Sequence, residues 1–398
     1  MNIKTTNLKG EVTIEFSGRW DTSCCSQVSE DIERQLAETG EVASLTCDML
    51  DVNYISSSGL RILLRLAQRY RNFRVTEAQP QVYDVLDMTG FTKIMPVEKA
   101  LRRLSIEGCE EIGRGGVGIV YRIDEDTIIK VFREGTTLDE VRTEITMSKQ
   151  AFVLGMPTAI SFDIVRVGSQ YGLVYELLHA EMLSTCLRND PERIDELARS
   201  YASLFHQLHS IEVPADSGIP SVLKRLDWAI RHIARYFDTA SIDLLLRMAS
   251  CFPEGNRLLH CDLQMKNVMM QDGELMLIDM GEVGCGHPVV DLGYAYSSMV
   301  TNTTDYELFF GMPRALGSQL YMKMLDYYIG SDMSQAEHDH RLKQIEAVSC
   351  IRNFTWLSLS DSFPEESIRE CQAIFVERVW RRKDYLLDVC STLKDWEI

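Results

Sequence analysis

The sequence has no run of apolar residues near the length of about 18 that a membrane-spanning helix needs, so we expect no transmembrane segment. Its first residues lack the basic segment and apolar core of a secretion signal. The eleven cysteines include no Cys-x-x-Cys pair. An odd number of scattered cysteines is typical of reduced thiols. Together these absences predict a cytoplasmic protein with no membrane partner.

Basic residues are scarce relative to acidic ones. Lys and Arg number 41 against 59 Asp and Glu, which gives a formal net charge of -18. A nucleic-acid binder needs basic patches that displace counterions from phosphates, so we expect no nucleic-acid partner. The acidic excess serves either solubility or an acidic pocket for a cationic substrate, and composition leaves both interpretations open.

The length of 398 residues predicts more than one domain. The first hundred residues have apolar spacings that alternate between strand and helix. The predicted strands cover residues 11–16, 43–49 and 73–76, and the predicted helices cover 26–37, 60–70 and 82–88. Strands and helices in this order indicate one small α/β domain over residues 1–100.

This segment resembles the STAS domain of anti-sigma factor antagonists. The resemblance rests on the strand before Asp51, the Ser-Ser-Gly-Leu helix start at residues 57–60 and the closing stretch at 82–91. In members switched by phosphorylation, the acceptor is the serine two before the glycine, which implies Ser57 as phosphoacceptor and a protein partner for the domain. The usual preceding Asp is Ser56 here, so a second interpretation stays open, in which the serines only cap the helix.

A cluster of glycines opens the second segment. Gly113, Gly115, Gly116 and Gly118 are followed by an alternating strand at 127–132. A dinucleotide-binding fold would begin a helix there, whereas a hairpin suits a kinase-type lid whose backbone amides approach the phosphates of a nucleotide. We therefore take these glycines as candidate nucleotide contacts.

Lys130 lies on the third strand of this segment, where a buried ammonium group needs a carboxylate from the next helix. Glu144 is the first choice because it has apolar neighbours, and Glu140, one turn away, is a weaker alternative.

Residues 172–179 form a strand with a polar break, which would join two lobes. Its backbone can offer the donor and acceptor that hold an adenine ring. We take Glu176 as the candidate contact and expect Leu173 and Val174 to form an apolar wall, although the sequence does not assign the contacting residue.

The most informative stretch begins at His260. Asp262, Asn267 five positions later, and Asp279 at the end of an apolar strand follow it in order. The first Asp can accept a hydroxyl proton, and the other two side chains supply oxygen ligands for Mg²⁺. This set predicts ATP- and Mg²⁺-dependent phosphoryl transfer.

Residues 105–398 as a whole resemble the aminoglycoside phosphotransferase and choline kinase group of the protein-kinase-like fold. The match comprises the glycine lid and all the charged positions above, and Asp291 follows Asp279 after a short glycine-bearing loop. Protein kinases place a longer activation segment there, closed by Ala-Pro-Glu, which this chain lacks. The resemblance implies a bilobal domain, with an N-lobe at about 105–176 and a C-lobe at about 180–398.

The resemblance also implies roles for the matched residues. Asp262 would deprotonate a small-molecule hydroxyl, Asn267 and Asp279 would hold Mg²⁺, and Lys130, fixed by Glu144, would bind the α and β phosphates. His260 and Asp291 would support the loop, while Cys261 stands where the group commonly has glycine.

Two other functions stay open at this point. One is a protein serine kinase of a partner-switching pathway that modifies Ser57 or the same site on a STAS partner. The other, a nucleotide-binding scaffold without catalysis, is disfavoured because every residue that the reaction needs is present.

Overall fold

The computed structural model of the protein describes residues 1–301, 306–330, 333–359 and 363–396. The chain divides into two compact units, Met1–Leu104 and Ser105–Ile398. All eleven cysteines are free thiols. Within the described ranges, no helix is both long and apolar enough to cross a membrane.

The first unit is a small α/β domain. Its elements in chain order are β1 (Asn2–Leu8), β2 (Glu11–Trp20), α1 (Cys25–Thr39), β3 (Ser44–Ile55), α2 (Ser57–Arg69), β4 (Phe73–Ala78), α3 (Pro80–Met88), β5 (Val97–Lys99) and β6 (Arg102–Arg103). The sheet has the order β1-β2-β3-β4-β5, in which only the β1 and β2 pair is antiparallel. The three sequence-predicted helices and three sequence-predicted strands are present in this unit, each with longer bounds than the sequence indicated.

The core of this unit follows from the two periodicities of its sequence. On β2, Val12, Ile14 and Phe16 alternate inward, as a half-buried strand requires. Trp20 ends the row fully buried, and its ring stacks on that of Phe16 at 4.7 Å between centroids. The helices add apolar stripes at helical spacing, such as Val28, Ile32 and Leu36 on α1. This packing holds in place the connection between β3 and α2, the helix that begins at Ser57.

The second unit begins with an antiparallel sheet and one helix. The elements are β7 (Glu110–Arg114), β8 (Gly118–Arg122), β9 (Thr127–Phe132), α4 (Leu138–Val153), β10 (Ser161–Val167) and β11 (Gln170–Glu176). The strands run in the order β10-β11-β9-β8-β7, so β9, which carries Lys130, is central. The glycines therefore lie on a β-hairpin, as the sequence predicted.

A capping box fixes the start of α4. Thr137 Oγ1 accepts a hydrogen bond from the Glu140 backbone N–H at 3.3 Å, and Glu140 Oε2 accepts one from the Thr137 backbone N–H at 2.6 Å. Glu140 is thereby committed to the helix end. Glu144, one turn later, is buried on the face of α4 that contains Val141 and Ile145.

The rest of the second unit is mainly helical. Its elements are β12 (Glu181–Met182), α5 (Leu183–Asn189), α6 (Ile194–Ser210), α7 (Val222–His232), α8 (Thr239–Ala249), β13 (Arg257–Leu259), β14 (Val268–Gln271), β15 (Glu274–Leu277), β16 (Gly284–Gly286), α9 (Val289–Tyr296), α10 (Tyr306–Phe310), α11 (Arg314–Ile329), α12 (Gln335–Thr355), α13 (Glu365–Arg378) and α14 (Lys383–Ser391). The short strands form two small antiparallel groups, β12-β14-β15 and β13-β16. One continuous apolar core unites these helices and strands and supports the loops that carry the site.

Candidate active site

Asp291 holds the start of the loop that follows β13. It is fully buried in the first turn of α9, and its carboxylate accepts hydrogen bonds from the backbone N–H groups of His260 at 2.9 Å and Cys261 at 2.7 Å. A ring nitrogen of His209 lies 3.3 Å from the same carboxylate. Hydrogen bonds to a charged acceptor are about twice as strong as neutral ones, so this carboxylate fixes the backbone immediately before Asp262.

His260 ties the loop to the end of β15. Its Nε2–H donates to the Ile278 carbonyl at 3.0 Å, and its Nδ1 accepts the backbone N–H of Asp262 at 3.3 Å. The residue is fully buried. These contacts bring the loop next to the strand end that carries Asp279.

Two non-glycine residues of the site have a left-handed backbone. Cys261 and Asp279 both have a φ of 64°, a conformation that costs an L-residue about 1–2 kcal/mol. Glycine adopts a left-handed backbone without strain, so Cys261 occupies a position whose conformation suits glycine. Strain of this kind persists where the surrounding structure enforces it, and it clusters at active sites.

Asp262 is held by the amide of Asn267. Asn267 Nδ2 donates to the Asp262 backbone carbonyl at 2.9 Å and to its Oδ2 at 2.7 Å. Burial raises the pKa of Asp262 above its usual value, and the cation of Arg352, with Nη2 at 3.9 Å from Oδ1, partly opposes this rise. The side chain is still 30% exposed, so a ligand can reach it.

Lys130 bridges two carboxylates. Its Nζ lies 2.8 Å from Glu144 Oε1 and 3.0 Å from Asp279 Oδ1. Burial disfavours the ammonium form, but Asp279 and Glu144 outweigh this effect and raise the pKa of Lys130. Burial likewise opposes ionisation of Asp279, yet Lys130 holds its pKa below the usual value. The lysine therefore stays charged, next to an ionised Asp279.

Tyr175 belongs to the same network, and sequence reasoning missed it. Its hydroxyl donates to Glu144 Oε1 at 3.0 Å. Burial, followed by the neighbouring Glu144 charge, raises the pKa of Tyr175 well above its usual value, so the hydroxyl keeps its proton. Only its place in the strand next to β9 could have signalled this role.

The residues that the sequence indicated as nucleotide contacts line one cleft of about 280 Å³. The structure brings together there all the residues that the sequence assigned to nucleotide and metal: Gly113, Gly115, Gly116, Gly118, Lys130, Glu144, Glu176, Asn267 and Asp279. At Gly118 a side chain is excluded, because an added Cβ would lie 2.3 Å from the Val131 carbonyl oxygen. Ser57 belongs to the first unit.

The apolar walls of this cleft are not formed by Leu173 and Val174, the two residues that the sequence indicated. Both are buried within the sheet, where Leu173 pairs with Lys130 and Val174 with Ile129. The walls are instead formed by side chains that share an aliphatic character: Val120, Ile128, Leu177, Met182, Met269 and Ile278. Glu176 lines the cleft, while its Oε1 accepts the backbone N–H of Ile160 at 2.7 Å.

The residues at the cleft floor fit a magnesium ion. Both hydrogen bonds of Asn267 use its nitrogen, which leaves Oδ1 available, and Asp279 engages Lys130 through Oδ1, which leaves Oδ2. Mg²⁺ takes hard oxygen ligands and is usually held by one or two side chains together with substrate phosphates. The donor set therefore suits Mg²⁺ bound with a nucleotide.

A second cavity, of about 380 Å³, has Asp262 on its wall. Residues of α12 and α13 form much of the remainder, including Arg352. Arg352 also binds Glu282 through two nitrogens, at 3.0 and 3.2 Å. Sequence reasoning missed both partners. Glu282 lies three positions after Asp279 and could have been noticed, whereas Arg352 carries no motif.

Ser57 is the first residue of α2 and is exposed. The cap is made by Ser56, which is buried and whose Oγ accepts the Gly59 backbone N–H at 3.3 Å. The hydroxyl of Ser57 is thus accessible at a helix N-terminus, while its neighbour performs the capping that the alternative interpretation assigned to the serine run.

Comparison with known proteins found a matching family for each of the two parts of the chain. The phosphotransferase enzyme family matches residues 109–321, more than half of the chain, and the STAS domain matches residues 2–103. An anti-sigma factor antagonist named BtrV from Bordetella bronchiseptica is 34% identical over 76 residues, which are 17% of this chain. The matched region spans 65% of the length of that relative.

Several solved structures are similar to the chain. A choline/ethanolamine kinase family protein from Mesorhizobium loti is 13% identical with a TM-score of 0.47, over 71% of this chain and 92% of that one. Choline kinase from Cryptosporidium parvum is 14% identical with a TM-score of 0.46, over 72% and 92%. ADP-bound aminoglycoside phosphotransferase APH(2'')-Ib is 13% identical with a TM-score of 0.44, over 79% and 99%.

The sequence-based assignment to these two families is thereby confirmed, and with it the fold class of a small α/β domain followed by a kinase-like domain. The chain is a member of the phosphotransferase enzyme family that carries a STAS domain at its N-terminus.

Proposed function

We propose that this chain transfers the γ-phosphoryl group of ATP to a hydroxyl of a small molecule, with Mg²⁺ as the metal and the STAS domain as a regulatory or docking module. The observation that carries the proposal is the 2.7 Å hydrogen bond between Asn267 and Asp262. It joins a residue of the cleft that contains the candidate nucleotide contacts to a carboxylate on the wall of a second cavity, which is the arrangement that a transfer between two bound molecules needs.

In this proposal Asp262 is the general base. It orients the acceptor hydroxyl and takes its proton while the acceptor oxygen forms a bond to the γ-phosphorus and the bond to the departing ADP oxygen breaks. A raised pKa makes the carboxylate a better proton acceptor, and general-base catalysis of this kind contributes about 100- to 10,000-fold.

The remaining side chains position the nucleotide. Lys130 contacts the α and β phosphates and is oriented by Glu144, which Tyr175 holds in place. Asn267 and Asp279 would hold Mg²⁺, which would neutralise the charge of the phosphate oxygens. The glycine hairpin covers the phosphates with its backbone amides, and the segment around Glu176 receives the adenine ring.

The test is turnover by the full chain. With ATP, Mg²⁺ and a panel of hydroxylated small molecules, we expect ADP formation that depends on one class of acceptor. Asp262→Asn is expected to lower kcat by about 100- to 10,000-fold. Asp243→Asn, at an exposed position on α8, is the control and is expected to behave as wild type. Equal turnover by wild type and Asp262→Asn would contradict the proposed role of the carboxylate.

A second candidate function is a protein serine kinase of partner-switching signalling. The exposed hydroxyl of Ser57 supports it, since a phosphate there would meet the free N–H groups of α2. Incubation with γ-labelled ATP separates the two functions. Label on Ser57 that is absent in Ser57→Ala, or label on a separate STAS protein, would favour the protein kinase if no label is transferred to small alcohols.

A cytoplasmic location is part of the proposal. It is supported by the eleven cysteines, all of which are free thiols, as is typical of a reducing compartment.

A further inference from the structure

The cavity beside Asp262 is lined by charged, hydroxyl-bearing and apolar side chains. Its volume of about 380 Å³ suits a small molecule. Serine and threonine hydroxyls, the amide of Asn353 and the ring of Trp356 line it, together with four charged side chains in the described part of the chain: Asp262, Arg352, Glu370 and Arg378. The arrangement of these four charges indicates what the cavity can hold.

Arg352 is already neutralised by protein. Its guanidinium is paired end-on with Glu282, at 3.0 and 3.2 Å, and lies 4.7 Å from the ring centre of Tyr294. The side chain is only 15% exposed. The carboxylate of Glu282 is occupied by the same ion pair, so neither Arg352 nor Glu282 offers an unpaired charge to a ligand.

Arg378 differs from Arg352 in this respect. It is the last residue of α13 and half-buried, and its Nη1 donates to the backbone carbonyl of Thr301 at 2.7 Å. Among the described residues it forms no ion pair. A guanidinium has five N–H groups in a planar fork, so most of its donors remain for a ligand. The Thr301 carbonyl, a neutral acceptor, thus holds the Arg378 guanidinium on the cavity wall and leaves its positive charge unpaired by the described residues.

The other charged side chain of the lining does not cancel this cation. Glu370 lies on the same helix as Arg378 but is exposed to solvent, where its charge is strongly screened. Asp262 is the proposed base and faces the reacting hydroxyl. Within the described lining, the unpaired charge left for the non-reacting part of an acceptor is therefore positive.

We propose that the acceptor is a small hydroxylated molecule that also carries a phosphate or carboxylate group, and that Arg378 binds this anionic group while the hydroxyl faces Asp262. This inference rests on the proposed function. It opposes the reading of the net charge of -18 as a sign of a cationic substrate, because the charges in the cavity, and not the overall charge, contact the ligand. A fork of guanidinium donors matches both phosphate and carboxylate oxygens.

The first experiment compares neutral, anionic and cationic acceptors that carry hydroxyl groups. The full chain is assayed for ADP formation with glycerol, glycerate and glycerol 3-phosphate, with glucose, gluconate and glucose 6-phosphate, and with choline and kanamycin as cationic molecules. We expect kcat/KM for the anionic member of each set to exceed that of its neutral parent by about tenfold or more. A higher kcat/KM for glycerate and gluconate would identify a carboxylate as the preferred anionic group, and a higher kcat/KM for glycerol 3-phosphate and glucose 6-phosphate would identify a phosphate. Preference for a neutral or cationic acceptor would overturn the inference.

The second experiment tests Arg378 itself. Arg378→Met is expected to raise KM for the anionic acceptor about tenfold and to remove its advantage over the neutral parent, while Arg378→Lys keeps part of it. Arg369→Met, on the same helix but exposed and paired with Glu365 at 3.1 Å, is the matched control and retains the preference. An undiminished preference in Arg378→Met would contradict the assignment.

Binding measurements separate this inference from the proposed function. Calorimetric titration of the full chain with glycerol 3-phosphate, inorganic phosphate and glycerol needs no turnover. We expect the two phosphate-bearing probes to bind and the Arg378→Met change to weaken both about tenfold. Such binding without transfer to any acceptor would contradict the phosphotransferase proposal alone, whereas equal binding of glycerol and glycerol 3-phosphate would overturn the anionic acceptor.

Discussion

The guanidinium of Arg352 lies 3.9 Å from the carboxylate of Asp262, measured from Nη2 to Oδ1. Arg352 comes from α12, and it also holds Glu282 from the loop after β15 at 3.0 Å. One cation is therefore shared between two carboxylates that belong to different loops. Because burial raises the pKa of Asp262 and this cation opposes the rise, Arg352 sets how basic the proposed catalytic carboxylate is.

The acid limb of the pH–rate profile is expected to report this relationship. Only the ionised carboxylate can accept a proton, so activity is present above the pKa of Asp262 and is lost as the pH falls through it. Since Asp262 has a raised pKa, the limb lies above the ordinary Asp value. Arg352→Met removes the cation that lowers the pKa, so the limb moves to higher pH.

The measurement is kcat/KM against pH for wild type, Arg352→Met and Arg352→Lys. The lysine variant keeps the charge and is expected to keep the limb close to that of wild type. His260, Glu282 and Asp279 also act on Asp262 electrostatically and are unchanged in all three proteins. A limb that stays in place in Arg352→Met would show that another group controls it.

The left-handed backbone at Cys261 leads to a prediction on stability. With a φ of 64° this buried position favours glycine over any residue with a Cβ, so Cys261→Gly is expected to be more stable than Cys261→Ala by about 1 kcal/mol. Cys350, buried in the middle of α12, is the control, where the order reverses by about the same amount because glycine weakens a helix. Thermal unfolding of the four variants gives both differences.

Much of the site could be predicted because its residues lie in local, ordered motifs. Lys130 and Glu144 follow from a strand and an amphipathic helix, and Asp262 with Asn267 from one loop, so short-range spacing already fixes which side chains converge. Arg352 could not be predicted, because an arginine on a late helix reaches the site only through the packing of α12.

The fold shows the same limit. The predicted elements of the first hundred residues have an apolar periodicity, and all are present in the structure. The strand β1 (Asn2–Leu8) was missed, because it is an edge strand with no fully buried residue, so its sequence carries no clear alternation. Its place follows from backbone pairing with β2, and its Ile3 is partly buried against the core of the first unit.

Asp291 is expected to be needed for stability as well as activity. Its carboxylate accepts two backbone N–H groups at 2.7 and 2.9 Å, and in Asp291→Asn the amide nitrogen would face one of these donors. A buried donor left without an acceptor costs about 1–3 kcal/mol, so the variant is expected to unfold at a lower temperature and to lose kcat. Asp195→Asn, at an exposed pair with Lys323, is the control with little effect.

The two serines at the start of α2 are expected to separate stability from signalling. Ser56 is buried and supplies the helix cap, so Ser56→Ala removes the acceptor for the Gly59 N–H and costs about 1 kcal/mol. Ser57 is exposed and has no part in the cap, so Ser57→Ala leaves the helix intact. Hydrogen exchange of the first-turn amides of α2 measures this difference without a contribution from the other unit. Faster amide exchange in Ser57→Ala than in Ser56→Ala would show that the cap had been assigned to the wrong serine. In that case Ser57→Ala would also disturb the helix, and a loss of phosphorylation in this variant would not be due to the missing hydroxyl alone.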